Sequence, residues 1–377
     1  MEYVQEPITT LHALRESTPK APVDRAAVVV PMTEREYGGL AAEGVLSELA
    51  ALDPGRVVVP LRAPAETVGP FCEWIDSFDC SVEVVWCSGP RLTELLADNG
   101  LNGDAGKGRD MWLALGQVLD SEYVVCHDAD TKTYDRSYVR RLLFPLEYGH
   151  TFSKGYYARV ENNQLYGRLF RLFYAPLVRT LAADHATDIV RYLSAFRYAL
   201  AGEFAATGEL VSKLRVQRSW GLEVGTLGDA YAHAGFEGSA QVDLGAYEHD
   251  HRAVSGPAGL SEMSSAVGDA LFQLLEEHGL EPNYETLAGR YRTVANEFVE
   301  QYAVDAAYNG LSYDRGDERE QIAAYSETVG PPGVDSRLPA WAAAPITPQA
   351  VAEATAADLA DATDSTTPGL GDADPTA

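Results

Sequence analysis

The clearest candidate for chemistry is an Asp-x-Asp motif in "SEYVVCHDADTKTYD", residues 121–135. Asp128 and Asp130 follow the apolar run "YVVC", which is typical of a buried strand. Two carboxylates at i and i+2, where a strand ends, can share one hard cation, because such cations prefer oxygen ligands. The alternative is a solvated turn. "DAD" recurs at residues 372–374, within an acidic tail, so the motif alone predicts little.

A glycine-rich stretch, "GDAGKG" at residues 103–108, presents Lys107 directly before a predicted helix. It differs from a phosphate-binding P-loop, since Leu101 stands where the first glycine should be and Gly108 replaces the metal-binding hydroxyl. Lys107 nevertheless lies where an ammonium group at a helix N-terminus can bind a diphosphate oxygen. A solvated loop is the alternative.

Two histidines and an arginine close the last predicted strand, in "YEHDHR" at residues 247–252. A single histidine usually belongs to the surface or the core, but His249 and His251 end a strand, as the aspartates do. A histidine in that position can complete the coordination of a metal ion held by Asp128 and Asp130. Arg252 adds a guanidinium group, which suits carboxylate and phosphate.

Three further polar side chains lie close to glycines. Glu203 follows Gly202 in "RYALAGEFAATGEL", where a small residue permits the close approach of a ligand. Glu223 lies near Gly221 in "RSWGLEVGTLGDAY", and Arg168 follows a glycine in "LYGRLFRLF". Each residue also has a purely structural interpretation. The glutamates could be surface acids beside residues that serve only packing, and Arg168 could belong to the polar face of a helix.

The elements that must position these residues alternate between strand and helix. The runs "RAAVVVPM", "GRVVVPLR", "SVEVVWC" and "YVVC" predict strands, with helical stretches such as "KGRDMWLALGQVL" between them. Further strands are predicted in "HTFSKGYYARV" and "SAQVDLGAYEHDHR", and helices at residues 261–278 and 284–302. This alternation predicts an α/β fold with a mostly parallel sheet, whose ligands bind at the carboxyl ends of the strands.

Composition narrows the function classes. The 377 residues carry 56 acidic and 29 basic side chains, for a net charge of −27. This charge would repel polyanions, so it argues against nonspecific binding to nucleic acid or to an acidic membrane. The acidic surface, with lysine at only Lys20, Lys107, Lys132, Lys154 and Lys213, is typical of a halophilic protein in a salt-rich cytoplasm.

Cysteine usage and hydropathy indicate a soluble, cytoplasmic protein. The four cysteines show no CxxC spacing, so free thiols in a reducing compartment fit better than a disulfide framework or a zinc site. The first residues lack a basic start followed by an apolar stretch, and no run reaches the ~20 apolar residues that span a bilayer.

Taken in order, these motifs resemble those of retaining glycosyltransferases of the glucosyl-3-phosphoglycerate synthase and mannosylglycerate synthase type. The resemblance covers roughly residues 27–279 and is strongest in "AGEFAATGELVSKL", "WGLEVGTLGDAY" and "AQVDLG". It implies a GT-A-like nucleotide-sugar-binding fold with helical C-terminal additions.

The resemblance implies a role for each matching donor-side residue. Asp130 matches the main metal ligand, Asp128 the companion aspartate near ribose and metal, and His249 the histidine ligand. Lys107 matches the lysine of the nucleotide loop, and Pro31 the proline near the base. The implied cofactor is Mg²⁺ or Mn²⁺.

The remaining matches concern the sugar and the acceptor. Glu203 aligns with the glutamate that faces the donor sugar, and Glu223 with the acid of the "GxE" loop; we assign both as catalytic. Gly167 and Arg168 align with the site that holds the charged end of the acceptor. We add His251 and Arg252, which follow the metal histidine, to the acceptor site.

Five positions depart from the family pattern. Arg35 replaces a glutamate usually found four residues after the first proline, and we assign its neighbour Glu34 to the donor site. The pair Leu61 and Arg62 lies where the second strand usually ends in an aspartate–serine pair. Phe170 replaces a threonine, and His251 an asparagine, in the acceptor region.

The predicted function is therefore metal-dependent, retaining transfer of a hexose to a small anionic acceptor. Glucose from UDP-glucose is the expected donor and 3-phosphoglycerate the expected acceptor, which would supply a compatible solute in a halophile. The alternatives are a mannosylglycerate synthase-like enzyme or another acceptor, then nucleotidyl transfer, then a non-catalytic nucleotide-sugar binder. The acidic "PMTEREYGG" lacks the glycine- and basic-rich loop of nucleotidyltransferases, and a mere binder would not need His249 or Glu203.

The expected organisation has four parts. An N-terminal extension (1–24) precedes a GT-A-like catalytic domain (25–255) with a donor half (25–135) and an acceptor half (136–255). C-terminal helices (256–325) follow. Residues 326–377 are rich in Pro, Ala, Thr and Asp, and this composition predicts a disordered acidic tail. A homodimer is a further expectation.

Overall fold

The structure is a computed structural model that describes residues 5–15, 18–218, 220–250 and 257–364. Ten strands within these residues belong to one sheet. In chain order, the strands are β1 (Thr9–Leu11), β2 (Ala26–Val29), β3 (Met32–Thr33), β4 (Arg56–Arg62), β5 (Val82–Trp86), β6 (Tyr123–Cys126), β7 (Phe152–Glu161), β8 (Gln164–Leu165), β9 (Phe204–Thr207) and β10 (Ser239–Tyr247).

The α-helices of the described residues flank this sheet and form its C-terminal additions. A π-helical turn, Leu169–Tyr174, leads directly into the sixth of them. In chain order, the helices are α1 (Leu40–Leu52), α2 (Ala65–Asp76), α3 (Pro90–Asp98), α4 (Lys107–Gln117), α5 (Ser137–Glu147), α6 (Ala175–Asp184), α7 (Asp188–Leu193), α8 (Gly208–Val211), α9 (Leu222–His233), α10 (Pro257–Glu277), α11 (Tyr284–Tyr308), α12 (Arg315–Ser326) and α13 (Pro348–Asp364).

The strands lie in the order β1-β10-β7-β9-β6-β2-β4-β3. Because most neighbouring strands run parallel, their carboxyl ends lie at one edge of the sheet. β5 pairs with β4, and β8 pairs with the end of β7. The pairs β6–β2, β2–β4 and β7–β10 are parallel, whereas β9 runs antiparallel between β6 and β7. Because β9 is antiparallel, its first residue pairs with the last residue of β6, Phe204 with Cys126. Glu203, one residue earlier, therefore reaches the same edge as Asp128.

Both faces of the sheet are buried, which explains the continuous apolar runs in the sequence. Along β2, Ala27 and Val29 face a core layer shared with α4, α6 and α9, whereas Ala26 and Val28 face a layer shared with α1, α2 and α5. The α/β class and the mostly parallel central sheet are confirmed.

The predicted disorder of residues 326–377 is wrong for residues 326–364. This segment packs on the body of the protein, with Trp341 stacked on Trp112 at a ring distance of 4.1 Å and Val351 fully buried. Composition does not reveal this packing, because an Ala-rich helix such as α13 needs only a few buried side chains to bind the surface of the folded core. Asp358 is one anchor: its buried carboxylate accepts hydrogen bonds from the backbone amides of Arg91 and Leu92 at the start of α3. Residues 365–377 lie outside the described residues.

The two ends of the described chain both join the main fold. Strand β1, within the predicted N-terminal extension, forms the edge of the sheet by pairing in parallel with β10. Helices α10, α11 and α12 pack around the π-helical turn and against α6 and α9. Among the described residues, none of the helices combines the length and the apolar character that crossing a bilayer requires.

Candidate active site

A cavity of about 1050 Å³ opens at the carboxyl edge of the sheet. One wall comes from the ends of β2 and β6, including Pro31, Asp128 and Asp130. The opposite wall comes from the π-helical turn, α10 and α12. The cavity therefore lies where an α/β sheet is expected to bind its ligand.

Asp128, Asp130 and His249 come together at this edge, as the sequence predicts. One potential ligand atom from each side chain lies within 4.8 Å of the other two. The loops that carry them are joined directly, because the Asp250 amide donates to the Asp130 carbonyl oxygen at 2.6 Å and Thr131 forms a β-bridge with His249. His249 Nδ1 lies 3.1 Å from Asp130 Oδ1. Two carboxylates and one imidazole form a donor set that suits Mg²⁺ or Mn²⁺.

Lys107 lies between two acidic side chains at the first position of α4. Its Nζ donates to Asp128 Oδ1 at 2.5 Å and lies 3.9 Å from Glu223 Oε1. Burial disfavours the charged amine, but Asp128 and Glu223 outweigh it and raise the pKa of Lys107. In turn, burial disfavours the Asp128 carboxylate, and Lys107 outweighs that effect and lowers the pKa of Asp128. At neutral pH the pair is therefore fully ionised.

Two glycines permit this close arrangement. A Cβ atom at Gly108 would lie 1.7 Å from the Gln217 carbonyl oxygen, so the start of α4 can contact that segment only with glycine here. A Cβ atom at Gly202 would lie 2.6 Å from Asp128 Oδ2. The sequence predicted that Gly202 admits a ligand, whereas the group packed against it in the structure is the Asp128 carboxylate.

Glu203 lies behind the cavity wall. Gly202 lines the cavity, whereas Glu203 is 1% exposed. The Tyr157 hydroxyl donates to Glu203 Oε2 at 2.9 Å, and the Tyr247 hydroxyl donates to Oε1. Burial and the nearby Asp128 raise the pKa of Glu203, against the effect of these tyrosine hydrogen bonds. Both carboxylate oxygens are thus held by protein groups.

Lys154 was missed by sequence reasoning and contacts the segment just before Gly202 and Glu203. It is 1% exposed, and its Nζ donates to the Ala201 carbonyl oxygen at 2.7 Å. Burial lowers the pKa of Lys154 to about 8. The signal available in the sequence was a lysine inside "HTFSKGYYARV", an otherwise buried strand, in a chain that contains few lysines.

The predicted acceptor residues Gly167 and Arg168 line the opposite wall of the cavity. Arg168 Nε donates to Glu318 Oε1 at 2.8 Å, and the buried Arg171 donates to Glu318 Oε2 at 3.1 Å. Glu318, on α12, is 3% exposed and was also missed. The predicted acceptor residues His251 and Arg252 lie outside the described residues.

Two of the residues that depart from the family pattern, Arg35 and Arg62, line the space near Pro31. Glu36 lines the main cavity, where its carboxylate accepts from the Thr33 amide at 2.6 Å. Glu34, the predicted donor residue, instead lines a smaller adjoining pocket of about 360 Å³. Arg62 borders both spaces and donates to the buried Asp110 carboxylate at 2.8 Å.

Comparison with known proteins finds relatives that match most of the chain. A glucosyl-3-phosphoglycerate synthase from Methanococcoides burtonii is 32% identical over 372 residues, covering 89% of this chain and 90% of that protein. One from Persephonella marina is 35% identical over 321 residues, covering 80% and 79%. No family model matches the sequence.

Solved structures show the same fold. The glucosyl-3-phosphoglycerate synthase of Mycobacterium tuberculosis, in complex with Mn²⁺, UDP-glucose and phosphoglyceric acid, matches with a TM-score of 0.54 at 21% identity, over 74% of this chain and 90% of that one. The mannosyl-3-phosphoglycerate synthase of Rubrobacter xylanophilus matches with a TM-score of 0.55 at 24% identity, over 73% and 83%. Given this shared fold and the extent of the sequence similarity, the chain belongs to the glucosyl-3-phosphoglycerate synthase family.

Proposed function

We propose that this protein is a metal-dependent glycosyltransferase that moves glucose from a nucleoside diphosphate glucose, UDP-glucose, to 3-phosphoglycerate. The observation that carries the proposal is the meeting of Asp128, Asp130, His249 and Lys107 at one edge of a cavity large enough for two substrates. Family membership supports the same reaction, since the relatives that define it carry this activity in their names.

The donor diphosphate binds at the Asp128 end of the cavity. Asp128, Asp130 and His249 would hold Mg²⁺ or Mn²⁺, which supplies positive charge to the diphosphate leaving group. Lys107 adds a second cation, fixed at the N-terminus of α4, where the helix dipole also favours an anion. Lys107 stays protonated throughout, because Asp128 and Glu223 raise its pKa. Pro31 and the nearby Glu34 lie towards the end of the site that would receive the base.

The acceptor anion binds on the opposite wall, at Arg168. Glu318 holds Arg168 through Nε, which fixes the plane of the guanidinium while its terminal nitrogens remain for a carboxylate or phosphate. Because the buried Arg171 shares Glu318, the three side chains carry a net positive charge. We assign His251 and Arg252 to the same anion, on the basis of their position in the sequence.

The transfer requires no side-chain nucleophile. The bond between the glucose anomeric carbon and the diphosphate oxygen breaks, a bond from that carbon to the acceptor hydroxyl oxygen forms, and the hydroxyl proton passes to the departing diphosphate. Glu203 supports the sugar-binding surface from behind, because Tyr157 and Tyr247 already bind both of its carboxylate oxygens. Glu223 lies at the cavity wall and balances the charge of Lys107.

A direct assay tests the proposal. Purified protein in concentrated KCl is incubated with UDP-glucose, 3-phosphoglycerate and Mn²⁺ or Mg²⁺, and the product is analysed by NMR. We expect glucosyl-3-phosphoglycerate with the α-anomeric configuration of the donor retained, and no product after metal chelation. Glucosyl transfer to a neutral acceptor only would refute the role of Arg168. Pyrophosphate release from a nucleoside triphosphate and a sugar phosphate would instead identify a nucleotidyltransferase.

We also propose that the protein acts in a cytoplasm of high salt and assembles as a homodimer. The charge of −27 supports the first part, because its self-repulsion is screened at high ionic strength. Light scattering in concentrated KCl tests the second part.

A further inference from the structure

The first turn of α4, which carries Lys107, has no cap of its own. Its N-cap residue is Gly106, which has no side chain to accept a hydrogen bond from the first amides of the helix. The carbonyl oxygen of Arg218 takes this role, because it accepts from the Arg109 amide at 3.0 Å. Contact between Gly108 and the Gln217 carbonyl brings the two segments together. The position of Lys107 therefore depends on residues 216–218.

Residues 216–218 are in turn held by the C-terminal strap, which we define as residues 336–342. Val216 and Leu338 exchange two backbone hydrogen bonds, at 3.1 and 2.9 Å. The Arg218 guanidinium donates through Nε to the Ser336 carbonyl oxygen at 2.9 Å and through a terminal nitrogen to the Leu101 carbonyl oxygen at 3.0 Å. Leu101 precedes the glycine-rich loop that leads to Lys107. Arg218 thus joins the strap to both sides of that loop.

The strap also contacts α4 directly, one and a half turns after Lys107. Trp112 Nε1 donates to the Pro339 carbonyl oxygen at 2.7 Å, and Trp341 Nε1 donates to the Trp112 carbonyl oxygen at 2.7 Å. The two indole rings are stacked. The strap therefore fixes α4 at two places, and none of these hydrogen bonds involves Arg168 or Glu318.

We propose that the C-terminal strap positions Lys107 for the donor diphosphate and that Arg218 is the positioning residue through which it acts. This rests on the proposed function of Lys107. An ammonium group that must meet a phosphate oxygen loses much of its effect when it is displaced by about 1 Å, because preorganised charge acts only at the correct place. Nothing in this arrangement touches Arg168, so the effect is specific for the donor.

The test compares variants by titration calorimetry with UDP and Mn²⁺, together with donor and acceptor KM. Arg218→Gln should weaken UDP affinity by about five-fold or more and leave acceptor KM within two-fold of the wild type. Arg218→Lys, which keeps a donor for the same carbonyl oxygens, should recover part of the loss. Trp112→Phe keeps the ring stack and removes one bond to the strap, so it should cause a smaller loss in the same direction.

A second arm separates positioning from general destabilisation. In a Lys107→Met background, Arg218→Gln should add almost nothing to the loss of UDP affinity; additive losses would overturn the proposal. Asp358→Ala is the matched control, since Asp358 bonds to Arg91 and Leu92 at the start of α3 and not to residues 216–218. It should lower the melting temperature without changing UDP affinity. Arg218→Gln that behaves like Asp358→Ala would also overturn it. Wild-type protein that does not bind UDP would instead refute the proposed function.

Discussion

Replacing Trp341 by alanine gives the sharpest test of whether the C-terminal segment is part of the folded protein. Trp341 is 7% exposed, stacks on Trp112 and hydrogen-bonds to its carbonyl oxygen. Truncating a buried tryptophan costs roughly 3–5 kcal/mol, and the hydrogen bond accounts for about 1 kcal/mol of that. We therefore expect Trp341→Ala to lower the free energy of unfolding by about 3–5 kcal/mol.

Val334→Ala is the matched control, because Val334 lies seven residues earlier and is 93% exposed. Its effect should stay within about 0.5 kcal/mol of the wild type, as for other surface substitutions. Urea unfolding in concentrated KCl, followed by circular dichroism, measures both variants. If the two variants unfold at the same urea concentration, the segment does not pack on the core and the interpretation of α13 fails with it.

Three further predictions concern the site. Asp130→Ala should abolish metal-dependent UDP binding in calorimetry with the melting temperature retained, whereas Asp374→Ala, in the second "DAD", should change neither. Arg168→Ala should raise the KM for 3-phosphoglycerate about ten-fold with donor hydrolysis unchanged, since a charge-assisted hydrogen bond contributes roughly 1.5–3 kcal/mol. Arg191→Ala, at an exposed position, is the control. An equal loss of donor hydrolysis in Arg168→Ala would contradict the acceptor assignment. Burial lowers the pKa of Lys154 to about 8, whereas an unfolded lysine has a pKa of about 10.4. Between these two pH values the amine is protonated in the unfolded chain and neutral in the folded protein. The free energy of unfolding therefore rises with pH in this range. Relative to Lys154→Met, the wild type should therefore gain roughly 2 kcal/mol of unfolding free energy in urea denaturation between pH 7.5 and 9.5, and a constant difference would count against the shifted pKa.

The sequence predicts the meeting of Asp128, Asp130, His249 and Lys107 because local signals coincide there. Asp128 follows an apolar strand, and strands of a parallel sheet present their carboxyl ends at one edge. His249 could be assigned to the same edge for the same reason, although 119 residues separate it from Asp130. Lys107 could be assigned from its position directly before a predicted helix.

The parts that sequence reasoning missed depend on contacts between distant segments. Glu318 binds Arg168 across 150 residues, and its own helix shows only a polar surface pattern. The burial of Lys154 and Glu203 follows from the antiparallel insertion of β9, which strand propensity cannot reveal. The segment containing Trp341 was misjudged because its average composition hides a few well-placed anchors.

The C-terminal strap is synthesised long after α4, the helix that it supports. Ribosomes add about 5–20 residues per second, and Trp341 is made more than two hundred residues after Lys107. The nascent chain therefore carries an unsupported α4 for roughly 10–45 s at those elongation rates. During that interval Arg218 lacks its hydrogen bond to Ser336, and Trp112 lacks its hydrogen bond to Pro339. If the strap positions Lys107 as proposed, we expect full donor affinity only after residues 336–342 have been synthesised.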